Sequence, residues 1–206
     1  MKIVILSEMS VAREQVMERL GALASGRVLV IDSASPSAGT PKKPRGGTAP
    51  ATYARRGASI RILDFAETGP VDLSGVDVVH FTGGDPFRLL AACRSAGFEA
   101  AVAQRAQRSD FAVVGSSAGA MVMGRDLAHA AILCDPAGLD NLDGFGWINA
   151  RIMPHLDAPG RSGDVIRAHV ADHPEEDWLL LDDAEVQVLE IDPCLKTALE
   201  DDGLEP

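Results

Sequence analysis

The chain has 206 residues, with 19 lysines and arginines against 30 aspartates and glutamates and a formal net charge of -11. This length fits one core, so we expect residues 1–206 to form a single domain. The acidic balance argues against nucleic acid and anionic membrane surfaces as partners, because both present phosphates that attract basic proteins. The longest uncharged stretch, 111–124, is too short to cross a bilayer as a helix.

The N-terminus and the cysteines favour a cytoplasmic location. The opening apolar run reaches Ser7 and Glu8 at once, which is not the pattern of a signal peptide. Cys93, Cys134 and Cys194 are widely spaced, so neither a disulfide framework nor a zinc knuckle is expected, and the thiols suit a reducing compartment. We expect no cofactor.

Short apolar runs alternate with helical stretches along the chain. The runs predicted as central strands are 3–6, 28–31, 60–63, 76–81 and 111–114, and a helix is predicted over 11–23. Runs that are apolar throughout are typical of a parallel sheet covered on both faces. The predicted fold is therefore α/β, a three-layer αβα sandwich with a mainly parallel sheet. Further strands are predicted at 148–153, 178–181 and 186–191, some of them antiparallel at an edge.

The segment from Ser33 to Thr52 has no periodicity. It contains four prolines and three glycines together with the basic cluster Lys42, Lys43 and Arg45. This composition predicts a surface loop, with a lid beside the active site as the alternative interpretation.

Residues 115–119 fit the pattern Gly-Xaa-Ser-Xaa-Gly, with Ser117 at its centre. In this pattern a strand turns sharply into a helix and exposes the serine on a strained bend, which the two glycines make sterically possible. An apolar strand precedes the motif and the helix-forming residues 118–123 follow it. The context therefore predicts a nucleophile elbow at Ser117.

A serine nucleophile needs a base, and five histidines are available. His155 is the best candidate because it follows an apolar strand and begins a loop, where a sheet delivers catalytic side chains. His80 lies within a strand and is expected to be a packed core or loop histidine. His169 and His173 are four residues apart and could bind a metal, although a solvated helix face is the preferred interpretation.

Asp135 is the candidate for the acid that orients the base. It lies between Ser117 and His155, and Ser-Asp-His is one of the known orders of a catalytic triad along a chain. Four other aspartates remain competitors, each of which could instead be a turn or cap residue: Asp126, Asp140, Asp143 and Asp157.

Two backbone amides are candidates for an oxyanion hole, which stabilises the negative charge that develops during acyl transfer. Ala118 directly follows the proposed nucleophile. The turn Gly83-Gly84-Asp85-Pro86 ends a predicted strand and can supply the second amide. The same turn can also be a helix start, with Asp85 as its cap and Pro86 in its first turn.

Three blocks, in order, resemble the family of serine peptidases that contains dipeptidase E and cyanophycinase, which shares its fold with class I glutamine amidotransferases. The blocks are 81–90, 115–120 and 154–157, with Arg161 beyond the last. The resemblance implies that Ser117 is the nucleophile, His155 the base and Asp135 the acid. It further implies oxyanion donors at Gly84 and Ala118 and substrate contacts from Gly83, Asp85 and Arg161.

The leading hypothesis is a serine peptidase that acts on small peptides, including dipeptides with an acidic N-terminal residue. Arg161 could pair with such a side chain, because guanidinium binds carboxylate through two hydrogen bonds. A homodimer is compatible with the sequence. The alternatives are an esterase of the α/β-hydrolase type, a glutamine amidotransferase-like domain, which serine at position 117 disfavours, and a catalytically silent relative that binds a ligand or partner.

Overall fold

A six-stranded sheet and a separate two-stranded sheet organise the protein, whose structure here is a computed structural model. It describes residues 1–34, 46–65, 70–107, 110–136 and 138–191, with Arg161 described by its backbone alone. The strands are β1 (Lys2–Leu6), β2 (Arg27–Ile31), β3 (Ser59–Leu63), β4 (Val78–Phe81), β5 (Ala112–Ser116), β6 (Arg151–Met153), β7 (Trp178–Leu180) and β8 (Val186–Glu190). The α-helices are α1 (Met9–Leu20), α2 (Ala49–Ala54), α3 (Pro86–Ser95), α4 (Phe98–Ala106), α5 (Ala118–Met121) and α6 (Arg161–Asp172).

The six-stranded sheet has the order β3-β2-β4-β5-β1-β8. All neighbours in it are parallel except β8, which runs antiparallel to β1 at the edge. The predicted mainly parallel sheet with an antiparallel edge strand is confirmed. The carboxyl ends of the adjacent strands β4, β5 and β1 lie along one edge, where the loops that follow them meet.

Helices cover both faces of this sheet, as the continuous apolar strands predict. On β1, Ile3 and Ile5 belong to the core beneath α3, α4 and α5. Val4 and Leu6 point to the other face and belong to the core beneath α1 and α2. The predicted three-layer arrangement is therefore present.

The second sheet pairs β6 and β7 in parallel, with Met153 opposite Leu180. Helix α6 connects these two strands, as a parallel pair requires a crossover connection. The chain leaves both strands at the same end, so the loops after Met153 and Leu180 are neighbours.

The prediction of a loop from Ser33 to Thr52 is wrong at its C-terminal end. Helix α2 begins at Ala49, and Pro50 stands in its first turn, where a missing N–H removes no helical hydrogen bond. Residues 35–45, including the basic cluster and the site of the proposed lid, lie outside the described residues. Within the ranges that the structure describes, no helix is long and apolar enough to cross a membrane.

Candidate active site

Ser117 stands on a tight turn between β5 and α5. Its backbone has φ 51° and ψ -112°, a strained conformation for a residue with a side chain, and its N–H donates to the carbonyl of Leu6 at 2.9 Å. The glycines of the motif are both required: a Cβ at Gly115 would lie 2.4 Å from the carbonyl oxygen of Gly119, and one at Gly119 would lie 2.5 Å from that of Phe81. This is the geometry of a nucleophile elbow.

His155 connects Ser117 to a carboxylate. Its Nε2 lies 2.8 Å from the Ser117 Oγ, and its Nδ1 lies 2.6 Å from Oδ1 of Asp183. Because an ionised carboxylate can only accept, Nδ1–H donates to Asp183 and Nε2 accepts the hydroxyl proton of Ser117. This tautomer leaves His155 able to take the proton of the serine.

The turns that carry His155 and Asp183 are fixed by the strands before them. His155 follows β6 by two residues and Asp183 follows β7 by three, and the parallel pairing of these strands places both loops together. The buried hydroxyl of Ser7 accepts the His155 N–H at 3.0 Å and donates to the carbonyl of Leu181, also at 3.0 Å. The carboxylate of Asp157 accepts the N–H of Asp183 at 2.7 Å. The two bonds of Ser7 tie both loops to the end of β1, and the Asp157 bond ties the loops to each other.

The prediction of Asp135 as the orienting acid is corrected to Asp183. Both ring nitrogens of His155 are already engaged, one by Ser117 and one by Asp183, so neither is left for a second carboxylate. Asp135 is exposed and follows a short 3₁₀ helix, Ala128–Ile132. Asp183 lies 28 residues after His155, beyond the candidate aspartates, which all fall between residues 126 and 157. The signal for it in the sequence is its place two residues after the apolar run 178–181.

The amides of Gly84 and Ala118 border the same site. Gly84 has φ 142°, and a Cβ there would lie 2.3 Å from the carbonyl oxygen of Ala34, so this turn needs glycine. A Cβ at Gly83 would lie 3.1 Å from the Cβ of Ser117, which places this stretch alongside the nucleophile. Within the described ranges, neither the Gly84 nor the Ala118 amide has a backbone acceptor. Gly84 lines the same cavity as Ser117, and Ala118 follows Ser117 in the chain, while the role of their amides as oxyanion donors stays a prediction.

Asp85 and Arg161, the other residues predicted to contact substrate, lie at the starts of α3 and α6. Asp85 caps α3, its carboxylate accepting the amides of Phe87 and Arg88 at 2.9 and 3.2 Å. Arg161 is the first residue of α6, and its side chain lies outside the described part of the chain.

The other histidines have structural contacts. His80 is fully buried, as predicted, between the hydroxyls of Tyr53 and Ser116 at 3.0 and 2.9 Å. His169 and His173 lie with ring centroids 4.3 Å apart and are partly exposed, so the face that they share is partly solvated. The indole of Trp178 packs against His169 and donates to the carbonyl of His173 at 2.9 Å.

A cavity of about 60 Å³ opens beside Ser117 and His155. Its wall combines the Gly84 turn with side chains from α3, α5, the 3₁₀ helix at 128–132 and the end of β6. The pKa of Cys134, which lines it, is raised by burial and by the charge of Asp85.

The sheet, the elbow and the Ser117–His155–Asp183 chain together define a serine hydrolase of α/β fold. The family model for peptidase family S51 matches residues 7–192 of the chain. The chain belongs to peptidase family S51 and is a serine-type peptidase.

Two solved structures share the fold. A protein assigned as a peptidase E from Listeria monocytogenes EGD-e superposes with a TM-score of 0.76 at 17% identity, covering 92% of this chain and 98% of that one. A peptidase from an acI-B1 actinobacterium gives a TM-score of 0.61 at 17% identity, covering 92% and 83%. Among curated proteins, no significant match is found.

Proposed function

We propose that the protein hydrolyses small peptides through a Ser117–His155–Asp183 triad and a covalent acyl-enzyme. The observation that carries this proposal is the unbroken chain of hydrogen bonds from the Ser117 hydroxyl through His155 to Asp183. Membership of family S51 favours a peptidase over the esterase and amidotransferase alternatives. The intact chain of bonds argues against a silent relative.

In the proposed mechanism, Ser117 Oγ attacks the scissile carbonyl while its proton passes to His155 Nε2. Asp183 stabilises the imidazolium that forms and holds the ring in place. The amides of Gly84 and Ala118 stabilise the oxyanion. The protonated His155 then gives its proton to the leaving amine, and a water molecule, activated by the same histidine, releases the acyl group from Ser117.

The finer properties of the substrate and of the assembly are part of the proposal. Gly83 is proposed to lie against the substrate because of its closeness to Ser117, and Asp85 because it caps the helix that follows the Gly84 turn. The acidic preference expected from Arg161 stays a prediction. A single domain, a homodimer, a cytoplasmic location and the lack of nucleic-acid partners are likewise proposed. Free thiols at Cys93 and Cys134 support a reducing compartment.

Labelling with a fluorophosphonate tests the nucleophile. The native chain should be labelled, and Ser117→Ala should lose the label while keeping its circular dichroism spectrum. The matched control is Ser116→Ala, since the adjacent hydroxyl bonds the buried His80 and takes no part in the proposed chemistry. Labelling that survives in folded Ser117→Ala would overturn the assignment.

A further inference from the structure

The cavity beside Ser117 is apolar. Six of its lining side chains are aliphatic, thioether or pyrrolidine groups: Pro86, Met121, Ala130, Leu133, Met153 and Pro154. Ser117, His155 and Gly84 complete one side of it, so a group that enters lies next to the reacting atoms. Its volume of about 60 Å³ is several times the roughly 10–15 Å³ that holds one water on the same measure. A short aliphatic side chain of a few carbon atoms therefore fits.

The charges of the described residues close to the cavity disfavour an anion. No lysine or arginine is among the described residues that line it. Burial, and with it the negative charge of Asp85, raises the pKa of Cys134, which lines the cavity. A carboxylate placed here would lose its hydration and meet a like charge, and both effects oppose its ionised form.

Leu133 marks the mouth of the cavity. It lines the cavity and is 47% exposed, one of three large apolar side chains with such exposure in the described ranges. An aliphatic group that enters from solvent would cover it, which would bury further apolar surface and favour binding.

We propose that the residue supplying the attacked carbonyl carries a small aliphatic side chain, from alanine to leucine, and that this cavity selects it. This preference stands against the acidic one that the resemblance implies through Arg161, whose side chain lies outside the described part of the chain. The inference rests on the proposed function, because it uses Ser117 as the nucleophile. The acyl residue stays bonded to Ser117 in the acyl-enzyme, so its side chain must lie beside that serine. The cavity reaches both Ser117 and Gly84, which flank the acyl carbonyl in the proposed mechanism.

Diphenyl aminoalkylphosphonates provide a test that does not depend on turnover. These esters phosphonylate a reactive serine with loss of phenol, and their side chain takes the place of that of the acyl residue. The rate of inactivation is measured by the loss of fluorophosphonate labelling for an analogue with an isobutyl side chain, as in leucine, and one with a carboxymethyl side chain, as in aspartate. The isobutyl analogue should react at least tenfold faster, as expected for a fitting apolar group.

Leu133→Arg ties the preference to the cavity. It introduces a cation at the mouth and should lower the isobutyl-to-carboxymethyl rate ratio about tenfold. Val11→Arg is the matched control: Val11 is 57% exposed on α1 and does not line the cavity, so the ratio should stay unchanged. Leu133→Ser, which adds no charge, should give an intermediate ratio.

The outcomes separate the two levels of the proposal. Equal rates of the two phosphonates, or a faster carboxymethyl analogue, would overturn the aliphatic preference. Fluorophosphonate labelling of Ser117 would still support the proposed function in that case. An unchanged ratio in folded Leu133→Arg would also overturn it. Failure of the native chain to react with the fluorophosphonate and with both phosphonates would instead reject the proposed function.

Discussion

Ser117 and His155 both have backbone angles that side chains rarely adopt, with φ of 51° and 64°. Each such conformation costs on the order of 1–3 kcal/mol and persists only where its surroundings enforce it. Here the enforcement is visible, because the Ser117 N–H bonds Leu6 and the His155 N–H bonds Ser7. The two residues that meet at 2.8 Å are therefore held by neighbouring positions at the end of β1.

Asp183→Asn tests whether Asp183, and not Asp135, orients His155. An amide keeps the size of the side chain but can no longer stabilise the imidazolium, and it allows His155 to adopt the other tautomer. We expect kcat to fall by about 10³–10⁴-fold, as the loss of the acid does in serine proteases, in an assay of peptide hydrolysis. Asp135→Asn is the control and should keep near-native activity. If the Asp135 variant were the inactive one, the correction would be wrong.

The sequence predicted that Ser117 and His155 meet, but it did not predict the aspartate that bonds the histidine. Ser117 is recognisable from local sequence, since the sterics of an elbow require glycines at fixed spacing. His155 follows from its position after a strand. Asp183 depends on the pairing of β6 with β7, two three-residue strands separated by helix α6. Contacts of this kind leave no fixed spacing along the chain.

At the scale of elements, the turn from β5 into α5 depends on glycine. Gly119→Ala would place a methyl group 2.5 Å from the Phe81 carbonyl oxygen of β4, and backbone there cannot yield easily. We expect a loss of about 3 kcal/mol in the free energy of unfolding and loss of fluorophosphonate labelling. Chemical denaturation measures the first effect.

Gly97→Ala provides the comparison for this steric effect. Gly97 has φ 62° and ψ 33° just before α4, but a Cβ there meets nothing within 4 Å. Only the cost of the left-handed conformation remains, about 1 kcal/mol, and labelling should be unaffected. Equal losses in the two variants would show that the contact with β4 is not what makes Gly119 necessary.

Ser7 connects β1 to both loops of the site. Ser7→Ala leaves the N–H of His155 and the carbonyl of Leu181 without this partner. We expect the rate of labelling to fall roughly tenfold or more, because small displacements of catalytic groups have large effects. Ser10→Ala, an exposed serine at the start of α1, is the control. Native rates in Ser7→Ala would refute this positioning role.

The central strands were predictable because their apolar runs are continuous, which only a sheet covered on both faces explains. The small sheet was not, since β6 and β7 contain three residues each and pair with one another instead of extending the main sheet. Helix α2 was not predicted because its proline, Pro50, and its short length resemble a loop. In the structure Tyr53 is fully buried, and its packing against the main sheet outweighs local propensity.

At the scale of the whole molecule, two buried histidines couple folding to pH. His80 lies in the core beneath α1 and α2, and burial lowers its pKa to about 3. His129 is buried beneath β6, where its Nε2 bonds the carbonyl of Ile152 at 2.9 Å, and burial lowers its pKa to about 4. Its Nδ1 has no hydrogen-bond partner among the described residues, so a proton there would lack an acceptor.

Because folding lowers the pKa of both histidines, acid destabilises the folded state. In the unfolded chain both histidines titrate near 6.5. Between pH 6.5 and about 4 the unfolded state therefore binds protons that the folded state rejects, and stability falls as the pH falls. Each histidine contributes up to about 1.4 kcal/mol per pH unit within this window. Above pH 6.5 the contribution is constant.

His80→Gln should reduce the slope of the free energy of unfolding against pH, measured by urea denaturation from pH 6.5 to 5.5. In this window the carboxyl groups of the unfolded chain, with pKa values of about 4, stay ionised, whereas its histidines become protonated. His129→Gln should reduce the slope by a similar amount, and the double variant should lose more of it than either single variant. The slope is the informative quantity, because glutamine changes the bonds to Tyr53 and Ser116 at every pH. A native slope in His80→Gln would mean that His80 accepts a proton within the folded core.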